Sequence, residues 1–373
     1  MGETGMGDTS GWLRRTGRRL RAVPATAGLS LACVVVFVAT LGICAARTQD
    51  LSFLLQAGWR LDTCHDTLVD LGALSVAHVW LDGSWWRLAS AGLLHGSLLH
   101  IVLNIWSLVV VGEWAERAWG SRRLLALFGL SSLGGCLASQ AWAEAPMIVG
   151  ASAGIMGIAG ALWVARVFSV QPEAKVLRPL SARGLAFAIG ILVGLGFAVP
   201  VIAQAGHLGG LAVGVAIGWS WTGRRGAWLG WAAVAGMASA WALGAATPHW
   251  RRAHSEYLGF ELMARGRHAE GAEELERVLS TRPGEAPLQN AVAYAYAVAG
   301  IELDRAEALV RAALAEDPEQ PDYQDTLGWI YCRRGKPEEG IGWLKKASDG
   351  TEGGVEEIEG HLRDCATVSV ESP

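Results

Sequence analysis

The chain has 373 residues, 51% of them hydrophobic, and a formal net charge of −4. Its mean hydropathy of +0.29 excludes an ordinary soluble enzyme, and the negative balance argues against nucleic acid as the main partner. Charge is sparse from about residue 25 to 247 and dense beyond, which predicts two domains of different solvent preference. Several of the 18 tryptophans end apolar segments, where an amphipathic ring suits the headgroup region.

Residues 1–24 are polar and end in a basic stretch, Arg14 to Arg21. The apolar run from Ala25 to Ala46 could be a signal peptide, with Ala45-Ala46 as small residues for cleavage. At about 22 residues it is long enough to cross a ~30 Å hydrocarbon core, so an uncleaved first span is preferred. Residues 48–90 form a long connection whose apolar piece, Val69 to Trp80, is too short to span and predicts a partly inserted interfacial loop. Further spans are predicted near 92–112, 123–143, 148–167, 184–203, 205–221 and 227–246.

With a cytoplasmic N-terminus, the cytoplasmic connections carry Arg117, Arg122, Arg123, Arg166, Lys175, Arg178, Arg183, Arg224 and Arg225. The outer turns Ala143–Pro146 and Ala203–Ala205 carry no Lys or Arg. Seven spans with this bias satisfy the positive-inside rule and place the C-terminal region outside the cytoplasm. Arg251 and Arg252, just after the last span, count against that side.

From 251 to 350 the apolar positions recur at helical spacing, and Gly266, Gly300 and Gly335 lie about one 34-residue period apart. Thr326-Leu-Gly-Trp-Ile-Tyr331 followed by Gly335-Lys-Pro-Glu-Glu-Gly340 resembles a tetratricopeptide repeat, and three such units can stack into a short solenoid. An unrelated helical bundle is the alternative. The tail, 351–373, is polar. Of the six cysteines, Cys33, Cys44 and Cys136 read as small core residues. A Cys332–Cys365 bridge requires a tail outside the cytoplasm.

Ionisable residues within hydrocarbon are costly and invite a functional reading. His95, His100 and Asn104 are expected on one span, with His100 and Asn104 four apart on one face and His95 rotated away from it. Ser152 lies in Gly150-Ala-Ser-Ala-Gly-Ile-Met-Gly157, near the expected outer N-terminus of its helix. Unpaired N–H groups there can stabilise an oxyanion. Its plainer reading is a hydroxyl bonded to its own backbone. His207 begins another span at comparable depth, followed by Gly210, Gly214 and Gly218. Small residues every four positions let helix backbones approach, as a serine–histidine pair needs. Interhelical hydrogen bonding would explain one such residue, but less readily five on three spans. With no acidic third member in the spans, a dyad is expected, with no metal or cofactor.

These stretches resemble the signature of the rhomboid intramembrane serine proteases: His95…His100…Asn104, Gly-x-Ser at 150–152, and His-x-x-Gly at 207–210. Trp86-Arg87 resembles that family's Trp-Arg pair in the first long loop. The resemblance implies Ser152 as nucleophile and His207 as base, His100 and Asn104 as oxyanion donors, and His95 and Gly150 in support. It departs at Ala153, where glycine is usual, and at Met156, where many relatives have an aromatic ring. The expected fold is all-α, a polytopic membrane helix bundle of six core spans (25–222) plus a seventh (223–250), followed by a small α-solenoid (251–350). Transmembrane protein segments are the expected substrates, the lipid bilayer the surroundings, and a protein partner is expected on the repeats. The seventh span and repeats resemble an extended bacterial subgroup, implying an inner or plasma membrane. A non-proteolytic rhomboid-like scaffold and a channel or transporter are the rivals; the first predicts a lost serine or histidine, the second gives no reason for the glycine-flanked pair.

Overall fold

The structure, a computed structural model, describes residues 22–49, 52, 62–142, 147–198, 203–247, 252–351 and 356–370. The basic stretch before residue 22, the turn at 143–146 with Pro146, and Arg251 lie outside the described residues. The chain divides into two compact units, Met1–Pro248 and His249–Pro373. It is an all-α molecule whose first unit is a multi-pass membrane bundle.

Helix α1 (Pro24–Thr48) opens on a proline, whose missing N–H costs nothing at a helix start. No local side chain caps it. The buried Glu116 does so from 90 residues away, accepting from Ala25 N and Thr26 N at 2.8 Å and from the Thr26 hydroxyl at 2.7 Å. The Ser121 hydroxyl, at 2.6 Å, completes its shell. A carboxylate is well placed against the free N–H groups of a helix start.

The loop after α1 holds short helices α2 (His65–Asp70), α3 (Val76–Asp82) and α4 (Arg87–Ser90). Strand β1 (Leu74–Ser75) pairs antiparallel with β2 (Met147–Ile148). Arg87 is buried and donates to the carbonyls of Val69 and Ala73, tying the loop together. Trp86 stays half exposed. Cys44 and Cys64 are joined by a disulfide, Cα–Cα 5.5 Å. The expectation that Cys44 is a plain core residue is therefore corrected, because the loop returns to the end of α1.

Helix α5 (Leu98–Trp142) is bent at Gly120, where φ is +78°, so it supplies two membrane-length limbs where two spans were expected. Helices α6 (Ser152–Phe168), α7 (Ala182–Ala198), α8 (Gln204–Ser220) and α9 (Leu229–Ala246) follow. With α1 and the two limbs they make seven helical segments among the described residues, each at or above the ~17-residue lower bound for a span; α1, α5 and α9 are long and apolar enough to cross a membrane, and α6 and α7 are shorter apolar helices. Helix α6 is buried nearly throughout. Helix α7 buries only Gly196, and α9 only Gly230 and Ala245, so both present their apolar side chains outward, as lipid requires.

The second unit contains three helix pairs: α10 (Arg252–Ala264) with α11 (His268–Leu279), α12 (Ala286–Ala299) with α13 (Leu303–Glu316), and α14 (Pro321–Arg333) with α15 (Pro337–Asp349). The periodic glycines Gly266, Gly300 and Gly335 end the first helix of each pair with φ of +76°, +71° and +73°, a conformation other residues rarely adopt. Within a pair the helices cross so closely that a Cβ on Gly328 would lie 2.9 Å from Gly340 O. In the first pair, one on Gly271 would lie 2.9 Å from Gly259 O. A final helix, α16 (Glu356–Val370), follows, and a disulfide joins its Cys365 to Cys332.

Candidate active site

Two parallel helices in backbone contact position the candidate nucleophile and base. A Cβ on Gly210 would strike the Ala153 backbone, one on Gly214 the Gly157 backbone, and one on Gly218 would lie 2.7 Å from Ala161 Cα. The contacts advance four residues at a time on both helices, so α6 and α8 run side by side in the same direction. Ser152 stands one residue before the first contact and His207 three before it. At 1.5 Å per residue, the two differ by about 3 Å in height at the same end of the pair. The second limb of α5 closes the third side, where a Cβ on Gly135 would lie 2.6 Å from Gly206 O.

Ser152 is the first residue of α6, and the first intrahelical bond runs from Ile155 N to Ala151 O. The N–H groups of Ser152, Ala153 and Gly154 therefore precede the helical ladder and point out of its start. The turn ahead is held in place: Gly150 N donates to Ala91 O at 2.9 Å, and Ile148 pairs with Leu74. Gly150 has φ of +128°, and a Cβ there would sit 2.8 Å from His100 Nε2 and 3.7 Å from Ser152 Oγ. Only glycine leaves that space open, and both functional atoms border it.

His100 lies in the first turn of α5. Gly96 N donates to its Nδ1 at 3.4 Å, which leaves Nε2 to carry the proton of the neutral ring and act as donor. Asn104 is buried; its Nδ2 donates to His100 O at 2.8 Å, and the amide keeps a second hydrogen. His95 differs from expectation. It lies in the loop before α5, fully buried, its ring edge-on to His100 at 5.1 Å between centroids and its Nδ1 3.2 Å from Leu93 O. The helix starts later than the apolar run because Ser97 caps it, accepting from His100 N at 3.0 Å. A serine just before an apolar run signals that start, and the span predicted near 92–112 overlooked it.

His207, in the first turn of α8, has a buried Nδ1 without a hydrogen-bond partner. No hydrogen bond joins it to Ser152 in this resting arrangement; such bonds often tighten only around substrate. Ala153 and Met156 are buried. The carbonyl of Ala153 faces Gly210 and its Cβ faces Gly135. On the second limb of α5, the Ser132 and Ser139 hydroxyls and Gln140 Oε1 are buried without partners. Ser132 borders Gly154 of α6 and Ser139 borders Gly206 of α8, and the sequence reading missed them. Among the described residues no group of three or more His, Cys, Asp or Glu could hold a metal ion.

Residues 82–224 match the family model described as Rhomboid domain. Rhomboid protease GluP of Bacillus subtilis (strain 168) is 29% identical over 276 residues, covering 72% of this chain and 53% of that protein. Rhomboid protease AarA of Providencia stuartii is 34% identical over 116 residues, covering 27% of this chain and 41% of that protein. Inactive RHOMBOID-like protein 8 of Arabidopsis thaliana is 25% identical over 144 residues, covering 39% and 40%. The chain spans about half or less of the length of the curated relatives it matches.

Proposed function

We propose, from the match of residues 82–224 to the rhomboid domain model, that the chain is an intramembrane serine endopeptidase, with Ser152 as nucleophile and His207 as general base. The observation that carries this reading is the backbone register of α6 and α8, which favours Ser152 and His207 meeting at one end of two parallel helices. Ser152 Oγ attacks the scissile carbonyl as His207 takes its proton. The oxyanion is held by the N–H groups at the start of α6, by His100 Nε2–H and by the Asn104 amide. His207 returns the proton to the leaving amine, and water hydrolyses the acyl-enzyme.

Substrates are transmembrane segments that unwind near the outer face, which favours small, helix-breaking residues because an opened backbone loses hydrogen bonds in lipid. The thinly packed α7 is the wall most easily displaced for lateral entry. The N-terminus is cytoplasmic in a bacterial inner or plasma membrane, and the repeats lie outside and bind a protein segment. Both disulfides favour that side, since such bonds persist in oxidising compartments.

A catalytically inactive scaffold is the second reading, favoured by the relative named as inactive; against it, both serine and histidine are present. Cleavage of a model single-span substrate in liposomes by wild type, Ser152→Ala and His207→Ala separates the two. Activity in wild type alone is expected, and equal cleavage by Ser152→Ala overturns the protease.

A further inference from the structure

The first helices of the three repeats share one face. Trp329 of α14 corresponds to Tyr294 of α12 and Phe260 of α10, at the same offset ahead of Gly335, Gly300 and Gly266. Asp325, Trp329 and Cys332 lie four and three residues apart, on one side of α14. This face is where a stack of helix pairs would take an elongated ligand, and α16 already covers part of it. Glu357 accepts a hydrogen bond from the Tyr294 hydroxyl. His361 Nδ1 lies 3.0 Å from both Asp325 carboxylate oxygens, and its ring stacks on Trp329, 4.6 Å between centroids at 17°. Cys365 is bonded to Cys332. All four contacts run from residues four apart on α16 (Glu357, His361, Cys365) to the repeat face. The helix rests on α15, with Leu362 packed beside Ile341 and Leu344, and it also reaches back to Tyr294 of the middle repeat, leaving Phe260 46% exposed.

We propose that α16 is a built-in ligand of the repeat face, locked there by the Cys332–Cys365 disulfide. Reduction by a dithiol frees the face for a helical segment of another protein. Two electrons and two protons from the dithiol convert the bridge to two thiols, and the dithiol becomes a disulfide. The partner helix reproduces the resident one: amphipathic, with a carboxylate to accept from Tyr294 and, four residues on, a flat ring to stack on Trp329 against Asp325. The proposal rests on the reading that the repeats bind a protein segment, but not on proteolysis.

The test uses the full chain, and for peptide binding a chain ending at residue 353, both in detergent. In Cys365→Ser, which leaves Cys44–Cys64 intact, amide exchange across 356–370 should quicken roughly tenfold or more over the oxidised wild type, and dithiol-treated wild type should match it. A fluorescent peptide of residues 354–370 should bind saturably to a chain ending at residue 353, weaken roughly tenfold in that chain with Trp329→Ala, and be excluded by oxidised wild type. Exchange unchanged in Cys365→Ser overturns the lock while leaving the repeat face standing. Failure of the shortened chain to bind the peptide, with its repeat amides still protected, overturns the face itself.

Discussion

Gly150 borders both Ser152 Oγ and His100 Nε2, so a methyl group there tests the site without removing a reacting atom. Gly150→Ala must accept a left-handed φ and push against the His100 ring. We expect kcat to fall roughly 10²-fold, as for misplacement of about an ångström, with the helical circular dichroism signal unchanged. His100→Ala removes the proposed oxyanion donor and should lower kcat by roughly 10²–10³ with little change in KM; a loss confined to KM would place His100 in substrate binding instead. The close approach of α6 and α8 was legible because a four-residue glycine period is a local signal, and Ser152 and His207 stand out as candidates because each is a polar residue in an apolar run. His95 was misplaced because the apolar run says nothing of where a cap starts the helix. The Cys44–Cys64 pairing is not legible in the sequence because it is set by how a loop returns, which no spacing encodes.

At the scale of elements, the bundle depends on contacts where side chains are absent. Gly214→Val would place a branched side chain into the Gly157 backbone. Overpacking of this kind costs about 1–3 kcal/mol, so thermal unfolding in detergent should shift down and cleavage should fall with it. Glu116→Ala leaves the start of α1 and the Ser121 hydroxyl without their acceptor and should cost about 2–4 kcal/mol; an unchanged unfolding midpoint would show that water replaces the carboxylate. The helices themselves were readable from apolar run lengths and from the repeat period. The Glu116 cap was not, because it joins residues 90 apart in sequence. The bend at Gly120 was read as a break between spans, and a glycine with positive φ produces that same pattern.

For the whole molecule, the proposed topology of seven spans and a cytoplasmic N-terminus would put both disulfides on the oxidising side. A reporter fused after residue 370 should be active outside the cytoplasm, and a cytoplasmic signal would mean that one apolar helix does not cross. The division at residue 248 follows the change in charge density seen in the sequence. What the repeat face holds was not readable, since only the folded solenoid brings Tyr294, Asp325 and Trp329 to α16.

The proposed proteolysis depends on activation of Ser152 by His207. Treating the chain in liposomes with a serine-reactive fluorophosphonate and locating the adduct by mass spectrometry tests it most directly. A single phosphonylated residue, Ser152, is expected, with labelling at least roughly 10²-fold slower in His207→Ala. An adduct on another serine, or equal labelling without His207, would contradict it.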